Sequence, residues 1–187
     1  MLKVVSTLIS AAWYGQEKIV QLSLDKGMNV DVRDNKEETA LMKAASAGHL
    51  KIVVLLLNHG ANIDAKNTHD ETSLMKAAEL GHDKIVSLLL DRGANANNMD
   101  RNNETALIKA VEASKHKIVT ILVDNGVDVD AKDKLGETAL VKAARGGKHK
   151  TVSSLLERGA NVDCKDIETS LFFTKPFNSL HAFWSNQ

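Results

Sequence analysis

Seven histidines and a single cysteine are the residues of this chain that could ligate a metal or act as nucleophiles. His49 and His82 stand at equivalent points of the sequence, but His59, His69, His116, His149 and His181 are scattered without ligand spacing. One cysteine cannot complete a zinc set with them. Cys164 sits at the position held elsewhere by Ala65 and Ala131, which reads as a small packed thiol rather than a nucleophile. The acidic pair Asp128/Asp130 recurs as Asn62/Asp64 and Asn161/Asp163, so these are loop residues and not a general acid and base. No Walker-type phosphate loop, nucleophile elbow or kinase set is present. The expectation is a non-enzymatic chain with no catalytic residue, no metal and no cofactor. The chemistry left is that of binding: two lone aromatics, Trp13 and Tyr14, and regular rows of lysine and glutamate.

Composition narrows the classes further. The 187 residues carry 24 Lys+Arg against 24 Asp+Glu, and this zero balance argues against a general nucleic-acid binder. Aromatics are only 4% and proline occurs once, so a core must be built from Leu, Val, Ile and Ala. The longest apolar run, Ile52 to Leu57, is far short of the roughly 20 residues of a membrane helix. The start MLKVVSTLIS lacks a signal-peptide pattern. A lone cysteine fits a reducing compartment. The expected location is intracellular, cytoplasmic or nuclear, without membrane insertion.

The elements that position these residues repeat. Glu38-Thr39-Ala40-Leu41 returns as Glu71-Thr72-Ser73-Leu74, Glu104-Thr105-Ala106-Leu107 and Glu137-Thr138-Ala139-Leu140, each 33 residues on. Gly27, Gly60, Gly93, Gly126 and Gly159 keep the same step. The spacing gives one domain over residues 1–187, with units at about 5–37, 38–70, 71–103, 104–136 and 137–167 and a partial unit at 168–187. In the second unit Thr39 caps a helix over 40–47, Gly48 ends it, and a second apolar helix runs from about 50 to 58. Residues 61–66 read as extended, and 67–70 as a polar tip. Helices this short are unstable alone, so stacking on neighbours must supply the stability.

The unit TALMKAASAGHLKIVVLLLNHGANIDAKN resembles the ankyrin repeat. The resemblance covers residues 5–167 and implies an all-α repeat protein, a solenoid of helix-turn-helix units joined by β-hairpin loops. It implies that His49 and His82 tie a turn to backbone. Ala40, Ser73, Ala106 and Ala139 replace the family's proline, and Ser114-Lys115 replaces Gly-His, so a strained or reshaped fourth turn is expected. Of the tip glycines only Gly136 survives, with Glu37, Asp70 and Asn103 elsewhere. Asn97 aligns with a position that related repeats hydroxylate, although a structural Asn is the default there.

A helical wheel at about 100° per residue puts Ala44 and Ala45 on the side of Leu41, and Lys43, Ser46 and Ala47 on the other. In ankyrin-like stacks that outer side lines a concave groove. The candidate partner-binding residues are therefore Trp13, Tyr14, Lys43, Ser46, Lys76, Glu79, Leu80, Lys109, Glu112, Lys142 and Arg145, with Arg101 and Leu135 on the tips. The Lys43, Lys76, Lys109, Lys142 row and the Glu38, Glu71, Glu104, Glu137 row read as paired solvated ladders worth little each. Specificity then rests with the residues that vary, Trp13 and Tyr14 above all.

The ends of a solenoid call for polar outer faces. Ser23 supplies one in place of the later leucines, and Thr151 and Ser154 do so in the fifth unit. All four phenylalanines and Trp184 lie beyond Leu171. Phe172, Phe177, Phe183 and Trp184 read as a cap over the last unit, with self-association, a partner-binding tail or a truncated longer array as alternatives. The expected function is a protein-binding adaptor, scaffold or stoichiometric inhibitor, whether of a host cell or delivered by a pathogen. The alternatives are a nucleotide- or oligonucleotide-sensing domain using the Lys row with Trp13 and Tyr14, and a structural oligomer built through the tail.

Overall fold

The computed structural model describes residues 2–162, with side chains from residue 7. The partial unit at 168–187, its aromatic residues and Cys164 lie outside the described residues. Ten helices follow in order: α1 Leu2–Trp13, α2 Glu17–Asp25, α3 Ala40–Ala47, α4 Leu50–Asn58, α5 Ser73–Leu80, α6 Asp83–Asp91, α7 Ala106–Glu112, α8 His116–Asp124, α9 Ala139–Arg145 and α10 His149–Glu157. The odd-numbered helices stack on one another in one layer, and the even-numbered helices form a second layer behind them.

Local chemistry sets these boundaries. The hydroxyl oxygens of Thr39, Thr72, Thr105 and Thr138 accept the amides of Met42, Met75, Ile108 and Val141 at 3.3–3.4 Å, which satisfies one free donor at the start of α3, α5, α7 and α9. Gly48 closes α3 with φ +80°, a left-handed backbone that side chains disfavour. The core is aliphatic, as the composition requires. Leu41, Leu74, Leu107 and Leu140 of the front layer and Leu56, Leu89, Leu122 and Leu155 of the rear layer are all at most 1% exposed. Ala44, Ala77, Ala110 and Ala143, all 0% exposed, are the small residues that let neighbouring front helices approach closely.

The expected β-hairpins are turns. Among the described residues there is no strand, and one isolated antiparallel bridge joins Arg33 to Thr39. Each tip is organised by an Asx turn instead. Asp34 Oδ1 accepts the amides of Lys36 and Glu38, both at 2.9 Å, and Asn67, Asp100 and Asp133 do the same one, two and three repeats on. Successive tips are joined by backbone hydrogen bonds from Thr68 to Lys36, Arg101 to His69 and Lys134 to Asn102.

The fourth turn keeps the family shape and holds strain. Ser114 has φ +59° where the other turns have glycine. The next repeat explains why a side chain fits there. A Cβ on Gly48 would lie 2.6 Å from the His82 ring, whereas the residue that follows Ser114 by the same step is Lys148, with no ring to obstruct it. The left-handed backbone still costs a non-glycine residue about 1 kcal/mol. Ser114→Gly should therefore raise stability by about 1 kcal/mol, read as a higher urea midpoint at constant slope. A fall in the midpoint would show that the Ser114 side chain has a stabilising contact that outweighs its strain.

Ser73 shows a second local cost. It stands where Ala40, Ala106 and Ala139 stand in the second, fourth and fifth repeats, is 0% exposed, and its hydroxyl has no hydrogen-bond partner. Ser73→Ala removes an unsatisfied buried group and should stabilise by about 1 kcal/mol, seen as a raised thermal midpoint.

The end faces differ from the sequence expectation. Ser23 is buried, 7% exposed, and its hydroxyl donates to the Ile19 carbonyl. The apolar Ile19, 40% exposed, and Leu22, 58%, are open on α2 beside the exposed Glu17, Lys18 and Asp25. Ser23 follows Ile19 by one helical turn, so its hydroxyl closes on α2 itself rather than facing water. Thr151 and Ser154 are likewise buried, the latter accepting from Arg158 Nη1 at 3.0 Å.

Candidate functional site

The front helices turn one edge outward between the tips and the inter-helix turns. Trp13 ends α1 on this edge and Tyr14 follows it in the turn, 45% and 71% exposed, and Leu80 is 49% exposed at the end of α5. Glu79, Glu112 and Arg145 are exposed beside them, while Ser46 is half-buried. Arg101 and Leu135 project from the tips. Arg101 pairs with Asp70 at 3.6 Å, and Leu135 is 78% exposed.

The lysine row is the main correction to the sequence reading. Lys43 and Lys76 are half-buried, but Lys109 and Lys142 are 8% and 7% exposed. Lys109 Nζ lies 2.8 Å from Asp100, 3.2 Å from Glu104 and 3.7 Å from Glu71 of the preceding repeat. Lys142 Nζ lies 2.8 Å from Asp133 and 2.5 Å from Glu112. Desolvation pushes both amino groups toward neutrality, but the hydrogen bonds that Lys109 donates to Asp100 and Glu104, and Lys142 to Asp133 and Glu112, outweigh it and raise both above the ordinary lysine range. At Lys109 and Lys142 the row is thus a buried ionic spine rather than a solvated ladder, because Asp100 and Asp133 of the tips face these lysines. The signal was present: Asp34, Asn67, Asp100 and Asp133 recur at the 33-residue step. A nucleotide cannot use Lys109 and Lys142 without displacing these carboxylates.

At the other end of the row the charges reach the surface aromatics. Lys43 Nζ bonds Glu38 and stands 5.8 Å from the centre of the Trp13 ring, a cation–π contact. The Trp13 carbonyl accepts from His49 Nε2 at 3.0 Å, and the Ser46 carbonyl from His82 Nε2 at 2.9 Å. In the fifth repeat Lys148 takes the histidine's role, its amino group donating to the carbonyls of Val111 and Glu112. Trp13 is therefore held at both its carbonyl and its ring by residues of the next repeat. Arg145 is turned aside by two hydrogen bonds to Glu137, and Glu112 by Lys142.

The loops behind the site are also structural. Asp31, Asp64, Asn97 and Asp130 each offer Oδ1 to a backbone amide of the next repeat, at Asn62, Asn95, Asp128 and Asn161, over 2.9–3.0 Å. The Asn97 oxygen thereby joins the third and fourth repeats. Among the described residues no group of His, Cys, Asp and Glu could hold a metal ion, and no helix is long and apolar enough to cross a membrane.

Paired short helices stacked at a 33-residue step, joined by Asx-turned tips, define a helical repeat solenoid with one outward edge open for contact. A family model for ankyrin repeats, three copies long, matches residues 8–100 and again residues 92–166, and the chain belongs to the ankyrin-repeat family. Repeats of this family generally mediate protein–protein interaction. Comparison with curated proteins finds no match.

Proposed function

We propose that the chain is a non-enzymatic protein–protein interaction module, an adaptor, scaffold or stoichiometric inhibitor, that takes a protein partner on its concave edge. The observation that carries this reading is the placement of Trp13, Tyr14 and Leu80. They are exposed large side chains on one face of a scaffold whose other large apolar residues are mostly buried. Large side chains held rigidly on a surface lose little entropy on binding and commonly dominate interface energy. The burial of Lys109 and Lys142 supports assigning specificity to these varied positions, since much of the repeated lysine row is already engaged within the scaffold. A single cysteine favours an intracellular setting, cytoplasmic or nuclear.

The test begins with a partner purified by affinity capture and identified by mass spectrometry. Changing Trp13, Tyr14, Leu80 and Arg145 together to Ala should weaken its binding by at least about 2 kcal/mol, roughly thirtyfold, by calorimetry. A control changes Asp25, Lys26, Asp91 and Glu157, exposed at the far ends of the rear helices, to Ala. Circular dichroism must show both folded. Binding retained by the first variant and lost by the control sinks the concave-edge assignment.

A further inference from the structure

The first repeat leaves open a face that every later repeat closes. Ile19 stands at the position of Ile52, Ile85 and Ile118, and Leu22 at that of Leu55, Leu88 and Ile121. Ile52, Ile85 and Ile118 are each 2% exposed, whereas Ile19 is 40% exposed. Leu55, Leu88 and Ile121 are half-buried, whereas Leu22 is 58% exposed. The residue types match, so the difference lies in what stands beside them. On the convex side Leu55 shares a groove with Glu17, Lys18 and Gln21 of α2. The adjoining convex groove sets Leu88 beside Val54 of α4, and Ile121 beside Ser87 of α6. These residues therefore face the repeat before their own, and among the described residues no repeat stands before α1 and α2. The charged residues around Ile19 and Leu22 do not make the face a cap. Lys18 and Asp25 recur as Lys51 and Asn58, Lys84 and Asp91, and Lys117 and Asp124, all of which flank interfaces that are closed.

The polar groups that join one repeat to the next are also unspent here. Asn62, Asn95, Asp128 and Asn161 each donate their amide to a side chain of the repeat before, and Asn29 at the same position has no such acceptor among the described residues. His49, His82 and Lys148 reach carbonyls of the repeat before, and Gln16 in their place is exposed. Arg92 bonds Asn58 and Arg158 bonds Asp124, each 34 residues back, and Lys26 at their position is exposed without an ion pair among the described residues.

The far end of the described stack carries the complementary groups. Val162 is 44% exposed where Ile63, Ala96 and Val129 are half-buried, so that end is open too. On α10, Ser153 is exposed at the position of Ser87, and Glu157 stands at that of Asn58 and Asp124. The Glu157 side chain is 63% exposed and pairs only with the adjacent Arg158, at 3.8 Å.

We propose that the open face of the first repeat is a docking surface for a second copy of this chain, which seats its fifth repeat there in the register that joins consecutive repeats within one chain. Leu22 then lies beside Ser153 of the second copy as Ile121 lies beside Ser87, and Lys26 meets Glu157 as Arg158 meets Asp124. A pair of stacked helices fits this face because its unspent groups are spread over both layers, from Gln16 between the helices to Lys26 and Asn29 beyond α2. A single extended segment presents no such spacing. The two copies use different surfaces, so the contact is heterologous and continues into an open series instead of closing as a dimer. It uses neither Trp13 nor Leu80 of the concave edge.

The test is sedimentation of the full chain over a broad range of concentration. The average mass should rise with concentration and pass that of a dimer. Ile19→Ser with Leu22→Ser should keep the circular dichroism spectrum and stay monomeric where the parent chain associates. Lys26→Glu and Glu157→Lys should each weaken association at least about tenfold, because each sets like charges against one another, and the two together should restore it. A monomer at every concentration overturns the proposal. A mass that stops at the dimer does so as well, since it signifies an isologous contact. Association that survives in the Ile19 and Leu22 variant, or a double charge variant no better than the single ones, has the same consequence. Because Trp13, Tyr14 and Leu80 are left intact throughout, failure here leaves the concave-edge reading untouched.

Discussion

Replacing Lys109 by Ala should destabilise the domain by about 3–5 kcal/mol, the range for removing one member of a buried ion pair. The loss arises less from the missing attraction than from what stays behind. Asp100, with its side chain 4% exposed, and Glu104, at 15%, would keep their charges in a place that water scarcely reaches. The same change at Lys43, whose side chain is 22% exposed, should cost no more than about 1 kcal/mol, since water can take over part of its role. Urea unfolding of both variants measures the difference. Equal midpoints would show that the spine is solvated after all. The pH dependence follows from the same groups. Burial raises the Asp133 carboxyl, but the Lys142 hydrogen bond and the amide of Glu137 outweigh it and leave it below its ordinary value of 3.8. Its contribution is therefore present above that value and is lost as the pH falls through the folded value. Lys109 and Lys142 are raised above 10.5, so their contribution is complete below 10.5 and disappears only in stronger alkali. Stability from the spine should be flat from about pH 5 to 10 and fall below about pH 4, with a shallower acid limb in Asp133→Asn.

Leu89→Ala should cost about 2–5 kcal/mol, because it opens a cavity in the middle of the rear layer. Leu89 is 0% exposed on α6, which packs on α4 before it and α8 after it. The adjacent Leu88 is a demanding control. It is just as apolar but half-buried and lines the convex groove, so Leu88→Ala should cost less than about 1.5 kcal/mol. In a solenoid the damage should also be local in the first instance, since each repeat touches only its neighbours. Amide exchange should accelerate in α4, α6 and α8 before α2 or α10. Uniform acceleration from α2 to α10 would mean that the stack opens as one unit and that nearest-neighbour coupling does not describe it.

Much of this architecture was legible in the residues. The boundaries 40–47 and about 50–58 agree with α3 and α4, because a threonine cap, a left-handed glycine and a short apolar helix are local devices that act within a few residues. The 33-residue step carried the same reading to each unit. Which of the chemically identical lysines would be buried was decided elsewhere. Lys43 finds Asp34 and Glu38 within nine residues along the chain, whereas Lys109 also gains Glu71, 38 residues away, and Lys142 gains Glu112, 30 residues away. Ser23, polar by type, is buried where its hydroxyl can bond its own helix, while Ile19 and Leu22 are left open. Ser114 could take a glycine's place because the residue one repeat on is Lys148 and not a histidine ring. Helix and cap depend on residues three or four apart and the period on recurring residue types, so all three can be read along the chain. Burial, the ionic spine and the fit of the turns depend on side chains about 30 residues away, which only the stacking of one repeat on the next brings within reach.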